Sequence, residues 1–248
     1  MSYTVVLPTL NESGHIEKLI KEIQNIFSEI KKDYEIIVVD DNSNDGTIEC
    51  VEKLKNSDKN IQLYVRKNLK KNIPESLNLG ISKSKYENII WMDADFQHPP
   101  NHIKFFDDKQ KDYDVVIFSR FVKGSERYFS EDLSKKETNE DHSIFFNKLC
   151  KYFLYEDISD YTSGFVCIKK KIFSDYKLSG FYGEYFIDLV VHCKLKKYSM
   201  IELPFKERER YSGTSKTFMS YSISYAFLFY HYFLSFLKNY LRKKIRIF

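Results

Sequence analysis

Cysteine is scarce and scattered in this 248-residue chain. Cys50, Cys150, Cys167 and Cys193 stand far apart and show no Cys-x-x-Cys spacing, which excludes a zinc ribbon and a disulfide framework. A reducing compartment is the natural expectation. No basic, apolar, small-residue leader precedes the first apolar run at residues 4–7, and a cytosolic chain is expected. The six histidines show no paired metal spacing. Charge of one sign is also missing. Lysine and arginine total 39 against 35 acidic residues, a net +4 mixed along most of the chain, so there is no reason to invoke nucleic acid. Only two alanines occur, Ala94 and Ala226, a bias that carries no mechanistic weight. Internal repeats and linkers are absent, which leaves one sizeable globule, and a 43% hydrophobic content can fill its core.

What is present centres on residues 88–100, Asn-Ile-Ile-Trp-Met-Asp-Ala-Asp-Phe-Gln-His-Pro-Pro. The apolar run reads as a buried strand, and Asp93, Asp95 and Gln97 follow before a Pro-Pro stop. Carboxylates at the carboxyl end of a strand in an open α/β sheet can hold a divalent cation that neutralises a diphosphate. Strands are expected at 4–7, 35–39, 61–65, 89–92, 115–118, 165–168 and 200–203. Helices are expected at 15–30, after 47, from Pro74 to 82, and at 101–108, 144–154, 170–176 and 184–196, the first capped by Asn11 or Ser13. This alternation predicts an α/β fold with a mixed, mostly parallel sheet and right-handed crossovers. Residues 125–141, rich in charge and serine, read as a mobile surface loop.

Asp41, Ser43, Asp45, Gly46 and Glu52 fall at EF-hand offsets. An EF-hand needs a helix before its loop, and residues 35–39 are β-branched, so a carboxylate placed to recognise part of a nucleotide is the better reading, with a plain strand-turn-helix as the alternative.

Three stretches occur in order at domain-like spacing: Pro8-Thr-Leu-Asn-Glu12, Val38-Val-Asp-Asp-Asn-Ser-Asn-Asp-Gly-Thr47 and Met92-Asp-Ala-Asp-Phe-Gln-His-Pro-Pro100. Together they resemble the inverting glycosyltransferases of GT-A fold. Phe118-Ser-Arg-Phe-Val-Lys-Gly124, Asp160-Tyr-Thr-Ser-Gly-Phe165 and Arg210-Tyr-Ser-Gly-Thr-Ser-Lys216 narrow the resemblance to polyprenyl-phosphate sugar transferases of the dolichyl-phosphate mannose synthase type. The resemblance implies that Asp93, Asp95 and Gln97 coordinate Mg²⁺ or Mn²⁺ on the donor diphosphate, and that Pro8, Glu12 and Asp40 hold the base and ribose, with Asp93 at the donor as well. It also implies that Arg120, Arg210 and Lys216 grip phosphates, with Asp95 and these three cations carrying the catalytic work. Guanidinium suits that task because it is permanently charged and bidentate. The alternative for Arg120 and Arg210 is an ion pair with Glu207 or Glu209.

Three departures from the family pattern stand out. Leu10 replaces a usual Tyr, the segment 70–80 lacks the usual Gly-Leu and Ala, and a family Arg is missing near Asn139, a gap that Arg127, Lys135 or Lys136 can fill. No adjacent Glu-Asp pair supplies a general base; Glu184 and Asp188 occupy that neighbourhood, Asp188 being either a base or the partner of Lys194 or Lys196. A lipid phosphate is mostly ionised at neutral pH, its second pKa being about 6, and attacks without a base. His98 follows the metal motif within reach of phosphate.

Residues 217–237 contain no Asp, Glu, Lys or Arg, a length that reaches the transmembrane threshold of about 18 residues. Serines, tyrosines and His231 spread along them favour a helix lying in the membrane interface over one crossing it, with a core or dimer helix as the alternative. Lys238, Arg242, Lys243, Lys244 and Arg246 would each add roughly 1 kcal/mol of attraction to an anionic leaflet. The expected organisation is a GT-A domain over residues 1–216 and an interfacial helix with a basic tail over 217–248, on the cytosolic face of a membrane. The expected substrates are a nucleotide sugar, with GDP-mannose ahead of a UDP-hexose, and a polyprenyl phosphate. Two rivals stand beside this: a nucleotide-sugar transferase acting on a glycan hydroxyl, and a membrane-bound binding protein without turnover.

Overall fold

The computed structural model describes residues 1–67, 70–126, 139–208, 211 and 223–245. Seven strands, β1 (Tyr3–Thr9), β2 (Tyr34–Asp40), β3 (Ile61–Val65), β4 (Asn88–Trp91), β5 (Val115–Ser119), β6 (Val166–Lys169) and β7 (Met200–Pro204), form one sheet in the order β3-β2-β1-β4-β6-β5-β7. β3, β2, β1 and β4 are parallel, as are β5 and β7, while β6 runs antiparallel between β4 and β5. The helices are α1 (Ile16–Ile30), α2 (Thr47–Ser57), α3 (Ile73–Lys83), α4 (Ile103–Lys109), α5 (Asn139–Phe153), α6 (Tyr185–Leu195) and α7 (Ile223–Ile245).

The strands read as unbroken apolar runs because both faces of the sheet are covered. One core packs Val5, Leu7, Ile36, Val38, Ile90 and Val116 under α1, α2 and α4. The other packs Val6, Ile37, Ile89, Trp91 and Ile117 under α3, α5, α6 and α7. Period-two alternation along each strand therefore divides it between two apolar layers.

Several expectations are corrected. Neither Asn11 nor Ser13 caps α1; His15 holds that position without a side-chain cap, and Asn11 adopts a left-handed φ of 56°. The backbone N–H groups of Asn11 and Ser13 instead bond to Ser43 Oγ (2.7 Å) and Asp45 Oδ2 (3.0 Å), which ties the β1–α1 loop to the β2–α2 loop. The helix expected at 170–176 is a 3-10 turn, Lys170–Ser174. α5 starts at Asn139, ahead of the expected 144, and residues 127–138 of the expected loop lie outside the described residues.

The C-terminal helix extends through most of the basic tail and packs on the globule through Phe236 and the fully buried Asn239. Two of its cations are committed inward: Arg242 pairs with Asp188, and Lys243 donates to the carbonyl of Leu154. No helix among the described residues is long and apolar enough to cross a membrane.

Candidate active site

The carboxyl ends of β1 and β2 are in register at Thr9 and Asp40. Asp40 is fully buried and accepts from Thr9 Oγ1 (2.7 Å), Ser43 Oγ (2.6 Å) and the Ser43 N–H (2.7 Å). Its neighbour Asp41 accepts from Arg66 Nη1 (2.5 Å), the Asn72 N–H (2.9 Å) and Ser76 Oγ (2.8 Å). Glu12 is buried, with its carboxylate 2.8 Å from His15 Nε2 and its N–H on Thr47 Oγ1. Pro8, partly buried, lies beside Val39 in the same rim. Asp45 is held down at about 2, because bonds from Thr47 and Ser13 outweigh the desolvation that would raise it. Strand β2 runs straight into this loop, which removes the EF-hand reading.

The second feature is the turn after β4. Asp93 is half exposed at the strand end, whereas Asp95 is buried and accepts the Gln97 N–H at 2.9 Å. Between them and Gln97 the chain passes through Phe96 at a left-handed φ of 68°, a conformation that must be held from outside. Two N–H groups do so: Tyr211 bonds to the Asp95 carbonyl (3.0 Å) and Arg208 to the Gln97 carbonyl (3.2 Å). His98 accepts the Asp93 N–H on Nδ1 (3.0 Å), and its ring stacks on Phe165 at 5.2 Å. Burial pushes His98 down to about 4 against the charge of Asp95, so the imidazole is neutral. His98 is therefore a buttress for Asp93, not the surface phosphate contact expected from sequence. Gly164 completes the buttress, since a Cβ there would stand 3.1 Å from His98 and 3.5 Å from Asp93.

Hard carboxylate oxygens, one half exposed, beside an uncharged imidazole fit Mg²⁺ or Mn²⁺, which take oxygen ligands and keep several waters. Asp93, Asp95 and Gln97 would hold the ion. No group of three or more His, Cys, Asp or Glu side chains among the described residues forms a closed metal cage, in keeping with an ion completed by substrate.

The third feature is Arg120, just past β5. Its guanidinium forms a two-point pair with the fully buried Asp160 (3.1 Å each) and donates to the carbonyl (3.0 Å) and hydroxyl (2.8 Å) of Thr162. Glu207, expected as a partner, stands at 3.8 Å; Asp160 holds the closer place. Burial opposes the charge on Arg120, but Asp160 more than offsets it and raises the group above its ordinary value. Asp160 is lowered by the same pairing, against its own burial. Thr162 is braced in turn by Ser143 Oγ (3.1 Å) and Asn147 Nδ2 (2.9 Å) of α5. A single short loop, 160–164, thus carries the partner of Arg120 at one end and the buttress of Asp93 at the other.

The sequence model of glycosyl transferase family 2 matches residues 4–177. The chain belongs to glycosyl transferase family 2. Its relatives include the dolichol-phosphate mannosyltransferase of Pyrococcus furiosus, 30% identical over 221 residues, covering 87% of this chain and 59% of that one. The Saccharomyces cerevisiae protein of the same name is 30% identical over 125 residues, covering 50% and 46%. The chain thus spans less than two thirds of the length of these relatives. Among solved structures, glucosyl-3-phosphoglycerate synthase from Mycobacterium tuberculosis, in complex with Mg²⁺ and UDP, superposes with a TM-score of 0.67 at 14% identity, covering 96% of this chain and 79% of that one. Mannosyl-3-phosphoglycerate synthase from Rubrobacter xylanophilus gives 0.66 at 14% identity, covering 99% and 75%. These likenesses establish the GT-A fold.

Of the residues expected to serve this family 2 site, Pro8, Glu12 and Asp40 gather at the β1–β2 rim, and Asp93, Asp95 and Gln97 at the end of β4. Arg120 lies beyond β5; Arg210 and Lys216, like Arg127, Lys135 and Lys136, lie outside the described residues. The two acids near a general-base position are otherwise engaged. Glu184 accepts the N–H groups of Phe181 (2.7 Å) and Tyr182 (2.8 Å). Asp188 faces neither solvent nor Lys194 or Lys196; it takes Arg242, Lys238 (3.4 Å) and the Tyr176 hydroxyl (3.2 Å), while the two lysines pair with Asp157 and Asp175. Sequence reasoning missed Arg66, His98 as a buttress, Gly164 and Tyr211. Arg66 left one signal, a lone cation directly after the apolar run of β3, level with the acids that end β2.

Proposed function

We propose that this chain transfers a hexose from a nucleotide sugar, with GDP-mannose the first choice, to a polyprenyl phosphate, in one displacement that inverts the anomeric centre. The observation that carries the reading is the loop 160–164, which binds the buried cation Arg120 and the Asp93 buttress together at the carboxyl edge of the sheet. The names of the curated relatives point to the same substrate pair.

Charge decides between acceptors. A sugar hydroxyl needs a base to remove its proton, and both acids suggested for that role are committed, Glu184 to a turn and Asp188 to α7. A phosphate acceptor arrives ionised and needs cations to align it, and Arg120 is permanently charged. Divalent metal, when bound, would neutralise the leaving diphosphate. Asp93, Asp95 and Gln97 hold that end, Glu12, Pro8 and Asp40 shape the base and ribose rim, and Arg120 orients the acceptor, with Arg210 and Lys216 as its expected helpers.

The lipid would be met at a membrane surface on the cytosolic side. Phe145, Tyr152 and Phe153 of α5 and Phe229, Phe233, Leu234, Leu237 and Leu241 of α7 are exposed and adjoin one another, with Lys238 and Lys244 nearby.

The test is to incubate the purified chain and Mn²⁺ with radiolabelled GDP-mannose or UDP-glucose and short-chain polyprenyl phosphate, then count label in the organic phase. Metal-dependent organic label that drops at least about 10²-fold in Asp95→Ala is expected. Label appearing on a glycan alcohol instead would overturn the acceptor assignment, and nucleotide-sugar binding without any product would support a binding protein.

A further inference from the structure

The C-terminal helix presents Tyr232, Ser235, Phe236, Asn239 and Arg242 on one stripe, at spacings of three and four, against α5, α6 and the turn that opens α6. Most of that stripe is packing. Tyr232 is different, because it ends in a polar atom at the wall of the cleft. Its ring lies 5.2 Å from Phe146 of α5, and its hydroxyl stands 2.5 Å from the point where a Cβ on Gly183 would lie. No larger residue fits at 183 while Tyr232 is seated. The following residue, Glu184, gives its carbonyl to Ser235 Oγ (3.2 Å) and folds its carboxylate back onto the N–H groups of Phe181 and Tyr182. The same turn is held at its other end by Asn72 Nδ2 on the Gly180 carbonyl (2.8 Å) and by Lys70 over the Phe181 ring (4.3 Å).

We propose that Tyr232 is a positioning residue of the acceptor-phosphate site, through which α7 holds the 180–184 turn beside Arg120. This rests on the reading of a phosphate acceptor given above. Burial, and then the charge of Glu184, raise the Tyr232 hydroxyl, while Arg120 draws it back down, so the hydroxyl lies in the field of both groups and stays a neutral donor. Nε and Nη2 of Arg120 are already on Asp160 and Thr162. A neutral hydroxyl beside the guanidinium keeps it in place without cancelling the charge that a phosphate needs, which a second carboxylate would do. The helix that the sequence presents as a membrane element is in this way also part of the acceptor site.

The experiment compares Tyr232→Phe, Gly183→Ala, the double variant and, as a control on the same helix, Tyr240→Phe, measuring KM for donor and acceptor, kcat and the thermal midpoint. Tyr232→Phe is expected to raise the acceptor KM about tenfold, the loss of one hydrogen bond to a charged group, with donor KM and midpoint unchanged. Gly183→Ala is expected to lower the midpoint and raise the acceptor KM, and adding Tyr232→Phe to recover the midpoint, because the methyl then occupies the space of the missing oxygen. Tyr240→Phe should leave both KM values at wild-type levels. An active Tyr232→Phe enzyme with an unchanged acceptor KM, or with both KM values shifted equally, overturns the assignment while leaving the functional reading intact. A wild-type protein that transfers nothing to lipid phosphate overturns both.

Discussion

The two halves of the cleft satisfy their buried charges in opposite ways. At the donor rim the acids are held by nearby hydroxyls and backbone N–H groups: Asp40 by Thr9 and Ser43, Asp45 by Thr47 and Ser13, Asp41 by Asn72, Ser76 and one arginine. At the acceptor side they are held by cations distant in sequence, Asp160 by Arg120 and Asp188 by Arg242. The first arrangement is a dense mesh between consecutive parallel strands, rigid without much formal charge. The second uses charge pairs to pin an antiparallel insert, β6, and a terminal helix to that mesh. The donor half is thus built as a fixed template, and the acceptor half as an attachment whose seating depends on a few ionic contacts.

Arg66 is the exception at the donor rim, and it offers the largest expected effect. Its guanidinium is 7% exposed and also bonds to the Asn72 and Lys70 carbonyls, so Arg66→Met strands Asp41 in the interior. Removing one partner of a buried pair costs about 3–5 kcal/mol, and chemical denaturation should read a loss of that size together with a weakened nucleotide affinity. A loss below about 1 kcal/mol would mean that the hydroxyl mesh alone carries this rim. On the acceptor side, Asp160→Asn should cost about 3 kcal/mol at pH 7 by leaving Arg120 uncompensated. The sign with pH follows from the lowered Asp160. Its stabilisation is complete above the ordinary carboxylate pKa of about 4 and is lost as pH falls below that value, so the gap between wild type and Asp160→Asn should close in acid. A gap that stays constant down to pH 3 would refute the pairing.

The same contrast sets how much was legible in the sequence. β3 is read at its true limits and the other strands within a residue or two, because a strand buried on both faces is a continuous apolar run bounded by turn residues. The acidic loops announce themselves as well, since their partners lie within a few residues or on the next strand. Strand direction does not: the run at 166–169 is as apolar as its neighbours, and nothing in it states that β6 turns antiparallel. Nor do long-range pairs. Asp188 lies within one helix of Lys194 and Lys196 yet takes Arg242, 54 residues on, because its position on α6 faces α7. Local spacing pointed to the wrong cations. The C-terminal segment was ambiguous for a related reason, as an amphipathic aromatic helix can rest on lipid or on protein, and α7 does the latter along one stripe while keeping exposed aromatics on another.

The smallest effect is the most direct probe of that attachment. The Asp188 carboxylate is 6% exposed, but Arg242 is 33% and Lys238 54% exposed, so solvent screens much of the attraction. Asp188→Asn keeps an acceptor for Tyr176 and Ser179 and removes only the charge. A loss of about 1 kcal/mol is expected in low salt. Because the Debye length shrinks from about 10 Å at 0.1 M salt to about 3 Å at 1 M, the wild type should lose this advantage as salt is added, whereas the Arg66–Asp41 pair, buried on both sides, should keep its own. Denaturation midpoints of the two variants, each measured against wild type at 0.1 M and 1 M salt, separate the cases. Equal salt dependence at both sites would show that the acceptor half is seated by packing of Phe236 and its neighbours, with the ion pair adding nothing of its own.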